Sequence, residues 1–122
     1  MKRIGIYHLG CEEAELFLRD GTGGDVELCP GNGRPTKITL GGDYENWREI
    51  VDSLIHEVME LVMIREGLRF SPDPNHCSDM SNFIFCMNHV QYTNTCARVG
   101  MFIAECLPDL ATAWGRWKKG RK

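Results

Sequence analysis

Over the first 43 residues apolar and polar positions alternate in short runs broken by glycine. IGIYHL (4–9), AELFLR (14–19), DVELC (25–29) and TKITL (36–40) carry β-prone residues near the two-residue period of half-buried strands, while CEE, DGTGG and PGNGRP between them supply turn formers. The spacing predicts a small antiparallel meander. After GGD at 41–43 the period lengthens to that of a helix, expected from about Tyr44 to Glu66 and ended by Gly67. At 100° per residue Trp47, Ile50, Val51, Leu54, Ile55, Val58, Leu61 and Val62 fall on one arc about 140° wide, the face expected to pack on the sheet.

SPDPNHCSDMSN (71–82), with two prolines and many turn formers, reads as a loop, and FIFCM (83–87) as a fifth strand or an apolar lead-in. Asn88, followed three residues later by Gln91, is a cap candidate for a second helix that should run to about Leu107 and stop at Pro108. A short further helical turn over Leu110–Trp117 and a basic tail (116–122) follow. Without a repeat or a linker, residues 1–122 read as one α+β domain: an antiparallel sheet of about four strands against two main helices.

Composition narrows the function classes more than the fold. With 43% hydrophobic and 25% charged residues the chain can fill an ordinary core, and at this length it buries roughly two thirds of its unfolded surface. The net charge of −3 is unevenly spread, because Arg116, Lys118, Lys119, Arg121 and Lys122 stand together without an acid and leave the rest acidic. A general polyanion binder is not expected. Nucleic acid enters only through that tail, beside which Trp114 and Trp117 read as a clamp on the core before they read as stacking platforms. No run of 18 apolar residues is present, so no membrane span or membrane partner is expected. The six cysteines form no CxxC pair, and MKRIGIYHLG lacks the apolar stretch of a signal peptide; free thiols in a cytoplasmic protein are the expectation. GTGG and GNG read as hairpin turns, since neither opens a helix after a strand as a phosphate loop requires.

The chemistry concentrates in LIHEVMELVMI (54–64). His56 and Glu60 are four apart and share a helical face. Met59, Met63 and Ile64 flank Glu60, which predicts a buried carboxylate in need of a partner, because an unpaired buried charge costs several kcal/mol or neutralises. His56 is one partner, as a plain ion pair; a shared divalent ion is another, zinc accepting both imidazole nitrogen and carboxylate oxygen. On the second helix His89 shares a face with Cys96, Gly100, Ile103 and Leu107, so it is expected to point inward, as a third ligand or as a core histidine. Three protein ligands leave one zinc position open to water, as in catalytic sites. Glu57, rotated 100° from His56, stands where the glutamate of an HExxH helix acts as general base. His76, Cys77 and Asp79 of the loop compete as ligands. His8 reads as an ordinary strand residue, and Cys86, Cys96 and Cys106 as small core hydrophobes.

KITLGGDYENWREIVDSLIHEVMEL resembles the strand and active-site helix of the zincin-like metallopeptidase fold in a minimal form. LIHEVMEL, followed some thirty residues later by a helix opening with MNHVQY, is also similar to small bacteriophage and prophage proteins. The resemblance spans residues 36–107 and implies one zinc ion on His56, Glu60 and His89, with Glu57 as base. It implies a hydrolase of peptide or amide bonds; the alternative is a non-catalytic phage effector docking on a host protein in the host cytoplasm. The sequence departs from the zincin motif in placing Glu60 where the second histidine stands.

Overall fold

Alternation at the amino terminus builds strands where it is expected. A computed structural model describes residues 1–28, 33–70 and 84–121; in it β1 is Lys2–Leu9, β2 Glu12–Arg19, β3 Gly24–Glu27 and β4 Thr36–Gly41. Successive side chains point to opposite faces, so Leu9, Leu16, Leu18, Ile38 and Leu40 meet in the core, whereas Glu15 and Lys37 pair side by side on the other face.

The strand order is β1-β2-β4-β3. β1 and β2 are antiparallel, as are β3 and β4, but β2 and β4 run parallel with Leu16 beside Ile38 and Leu18 beside Leu40. The sheet is therefore mixed, a correction to the antiparallel meander. Burial explains the rearrangement. All of β4 except Lys37 is buried, which suits a central strand, while the short, charged GDVE of β3 suits an edge. The chain goes from β2 out to that edge and returns between.

Helix α1 is Trp47–Arg65. It starts later than Tyr44 because Asn46 forms a capping box, its Oδ1 accepting from the Glu49 N–H at 3.1 Å while Glu49 Oε2 accepts from the Asn46 N–H at 3.3 Å. Gly67, at φ +68°, closes the helix. Its N–H reaches the Ile64 carbonyl and that of Leu68 the Met63 carbonyl, a Schellman arrangement. β5 (Arg69–Phe70) and β6 (Ile84–Phe85) then form a small two-stranded ladder. Cys29 and the predicted loop with His76, Cys77 and Asp79 lie outside the described residues.

Helix α2 runs from His89 to Gly120, straight through Pro108, where the sequence predicts a stop. Proline removes the bond to the Ala104 carbonyl, but Ala104 and Pro108 both lie on the exposed side, where water can take that acceptor. The buried stripe Phe102–Cys106–Leu110–Ala113 meanwhile holds both halves of the helix on the core. α2 crosses β1, α1 crosses β3 and β4, and the helices touch each other. Phe102 meets Tyr7 edge-on at 5.7 Å, and each such fully buried side chain contributes about 1.5–3 kcal/mol.

The basic segment continues helix α2 as far as Gly120. Trp114 Nε1 donates to the Gly42 carbonyl (3.0 Å), Trp117 Nε1 to Asp43 Oδ1 (3.0 Å) and Lys118 Nζ to the Tyr44 carbonyl (2.7 Å). Arg121 reaches both Asp20 and Asp43. The tryptophans are thus a clamp on segment 42–44. Among the described residues no helix is long and apolar enough to cross a membrane.

Candidate active site

The angular position of each residue on α1 sets its exposure. The core stripe runs Ile50, Leu54, Val58, Leu61. Measured from Leu54 at 100° per residue, Glu57 lies about 60° away, Glu60 about 120° and His56 about 160°. Accordingly Glu57 is the buried one, with 7% of its surface exposed. The Glu60 side chain keeps 20% and that of His56 70%. This inverts the expectation that Glu60 is the enclosed carboxylate and Glu57 the one standing apart.

Glu57 fits under the start of β3 because residue 24 is glycine. A Cβ at Gly24 would stand 2.9 Å from Glu57 Cγ and 3.1 Å from its Oε1. No described residue donates a hydrogen bond to the Glu57 carboxylate; the nearest opposite charge is His56 Nε2 at 3.9 Å. Burial pushes its pKa above the usual carboxylate range; the His56 ring opposes that rise, and the charges of Glu60 and Asp25 reinforce it. Glu60 is better served. Its Oε2 lies 3.4 Å from His56 Nε2 and its Oε1 3.7 Å from Arg69 Nη1.

The open side of Glu57 forms the wall of a pocket of about 440 Å³ lined also by Gly23, Tyr44, Glu49, Asp52, Ser53 and His56. Its rim is tied down. The Tyr44 hydroxyl accepts from the Gly23 N–H at 2.7 Å, and Asp43 Oδ2 accepts from the Gly21 N–H at 2.6 Å.

Two of the proposed zinc ligands stand together. Tetrahedral ligands about 2.0–2.1 Å from zinc are roughly 3.3 Å apart, and the 3.4 Å between His56 Nε2 and Glu60 Oε2 matches that edge. His89 does not join them. It is exposed, and the first turn of α2 borders Gly67 and Leu68, seven residues and about 10 Å along α1 beyond Glu60. The inward face of α2 is the one carrying Thr95 and Phe102, so His89, Cys96 and Gly100 turn outward, contrary to the sequence expectation. Among the described residues no three histidines, cysteines or acids are placed to hold a metal ion. Cys86 is exposed as well; Cys106 is the core thiol, its pKa pushed up to about 12 by burial. His8 is an exposed strand residue paired with Glu105.

No known family, curated protein or solved structure matches this chain. The reading of the site therefore rests on its geometry. Sequence reasoning missed Gly24, Tyr44 and Asp52 as parts of it. Asp52 carried a visible signal, being four residues before His56 on the same helical side; Gly24 and Tyr44 reach the site only through tertiary contacts.

Proposed function

We propose that the protein is a hydrolase of zincin-like type acting on peptide or amide bonds, with Glu57 as general base. One observation carries this reading: a carboxylate 7% exposed, without a hydrogen-bond donor among the described residues, forms the wall of an open pocket beside a histidine. A base works best when its pKa approaches the operating pH, and burial moves Glu57 in that direction. A water in the pocket would give its proton to Glu57, attack the carbonyl carbon and leave Glu57 to return the proton to the departing amine.

His56 and Glu60 would hold zinc at two of its corners. Zinc bound there would supply polarisation of the carbonyl and acidification of water. His56 stands 3.9 Å from Glu57 and opposes the rise that burial imposes on its pKa. A second reading, a non-catalytic phage effector that docks on a host protein, draws on the exposed apolar side chains Phe70 (50%), Ile84 (50%) and Phe85 (42%) of the β5–β6 ladder.

The test is zinc content of protein purified without an affinity tag, wild type against His56→Ala, together with mass-spectrometric search for cleavage in a peptide mixture, wild type against Glu57→Gln. Stoichiometric zinc lost in the first variant and cleavage lost in the second are expected. A wild type that stays metal-free at saturating zinc and cleaves nothing would remove the hydrolase and leave the binding module.

A further inference from the structure

We propose that the pocket between the start of β1 and the carboxy-terminal half of α2 binds a phosphate group carried as a monoester. It shares no lining residue with the pocket of Glu57 and so stands independently of the hydrolase reading. The helix supplies one side. Asp109, Thr112 and Arg116 follow at helical spacing and form a stripe that Lys119 extends by a turn. Lys2 and Arg3, which open β1, complete the lining of a volume of about 350 Å³.

Charge sets this pocket apart. In a chain of net charge −3 most arginines are answered by a carboxylate, as Arg65 is by Glu12 at 3.0 Å and Arg98 by Glu66 at 3.0 Å. Lys2, Arg116 and Lys119 have no such partner among the described residues. Arg3 hydrogen-bonds Glu15 through Nε at 2.6 Å, and no described acceptor takes its Nη groups. The lining holds one acid, Asp109, and it pairs with none of these cations. Its Oδ2 accepts instead from the hydroxyl of the buried Tyr7 at 2.7 Å. Three cationic heads around one hollow repel each other, and an anion between them turns that repulsion into attraction.

The number and kind of donors select phosphate. Two guanidinium forks and an ammonium suit a group with three acceptor oxygens and a charge of about −1.5 to −2 at pH 7, whereas a carboxylate would occupy a single fork. Ile4 and Ala113 line the same pocket and offer apolar surface to the organic part of the ester. A nucleic-acid backbone fits less well, because its successive phosphates need a track of cations. The basic residues that would continue such a track along α2 are engaged elsewhere: Lys118 donates to the Tyr44 carbonyl, and Arg121 binds Asp20 and Asp43.

The test is an NMR titration of the ¹⁵N-labelled wild-type chain at low salt with Nα-acetyl-O-phosphoserine amide and, in parallel, with Nα-acetyl-glutamate amide, inorganic phosphate and a short DNA duplex. Saturable shifts at the Arg3, Ile4, Thr112 and Arg116 amides are expected for the phosphoserine compound, with the glutamate compound at least about tenfold weaker. Arg116→Gln, an exposed change, should weaken phosphoserine binding roughly three- to tenfold, whereas Arg48→Gln, the loss of an exposed charge outside the pocket, should leave it unchanged. Several results would overturn the site: no saturable shift at those amides, or equal weakening by the two variants. Glutamate or inorganic phosphate binding as tightly as the ester would overturn it too, as would DNA binding there more tightly than the ester.

Discussion

Glu57→Gln should make the protein more stable at alkaline pH while removing the group proposed to act as base. The substitution keeps the shape of the side chain and deletes its charge. In the folded chain burial, with the repulsion of Glu60 and Asp25, raises the Glu57 pKa above that of an unfolded glutamate, although His56 and Arg19 pull against it. The folded state consequently binds this proton more tightly than the unfolded one. The stability gained from that proton is fully present below the unfolded value of about 4.3 and is lost as pH rises through the folded value. Above the folded value the wild type carries a largely desolvated carboxylate with no hydrogen-bond donor among the described residues. Unsatisfied buried polar groups cost about 1–3 kcal/mol, and one wall of this site opens to the pocket, so the lower end applies. About 1 kcal/mol in a chain of this size corresponds to roughly 3–5 °C in Tm. Thermal melts of both proteins at pH 8 and pH 4 should show the variant ahead by that amount at pH 8 and level at pH 4, where the protonated glutamate resembles glutamine. A variant that melts below wild type at pH 8, or an equal gap at both pH values, would refute the assignment of Glu57 as a destabilised buried acid.

Two further outcomes probe the frame around it. In Gly24→Ala the new methyl would meet Glu57 Cγ at 2.9 Å and the Thr39 carbonyl at 3.1 Å; urea unfolding should show a loss of about 1–3 kcal/mol, and unchanged stability would mean that β3 does not press on Glu57. Asp43 has its pKa held below the ordinary range by the Gly21 N–H first, then by Trp117 and Arg121, so its stabilisation is present above the unfolded value and lost as pH falls through the lower folded one. Asp43→Asn should therefore lower the urea midpoint at pH 7 with a gap that narrows toward about pH 3, and a gap that widens there would contradict the bonding around Asp43.

What was legible in the sequence followed from short-range chemistry. The four amino-terminal strands, α1 and its glycine stop, and the Asn88–Gln91 cap all rest on patterns a few residues long, and they appear within a few residues of where the pattern puts them. The parallel pairing of β2 with β4 could not be read that way, because strand order depends on which strand buries most surface after the helices dock. Pro108 misled because a proline stop assumes that the orphaned carbonyl has no other recourse, and at Ala104 solvent provides one. At the candidate site the neighbours Met59 and Met63 suggested that Glu60 was enclosed. Angular distance from Leu54 and Val58 was the better guide, and it already ranks Glu57, Glu60 and His56 in the order of exposure that the structure has.

The length of α2 then bears on the site itself. Had the helix ended at Leu107, nothing from its last three turns would reach segment 41–44. As it stands, Trp114, Trp117, Lys118 and Arg121 all bind Gly42, Asp43 or Tyr44, and Trp117 packs so closely that a Cβ at Gly42 would lie 2.6 Å from its indole nitrogen. Asp43 and Tyr44 in turn hold the Gly21 and Gly23 N–H groups, and Gly24, the next residue, sets the space available to Glu57. A continuous chain of contacts therefore runs from the basic end of α2 through segment 42–44 and the β2–β3 turn to the pocket wall. Two of the basic residues at this end of the chain, Lys118 and Arg121, thus brace segment 42–44, which in turn holds the β2–β3 turn beside the candidate base. Loosening that brace should disturb the pocket before it disturbs the core, since the clamp and the stripe of Phe102, Cys106 and Leu110 occupy different stretches of the same helix.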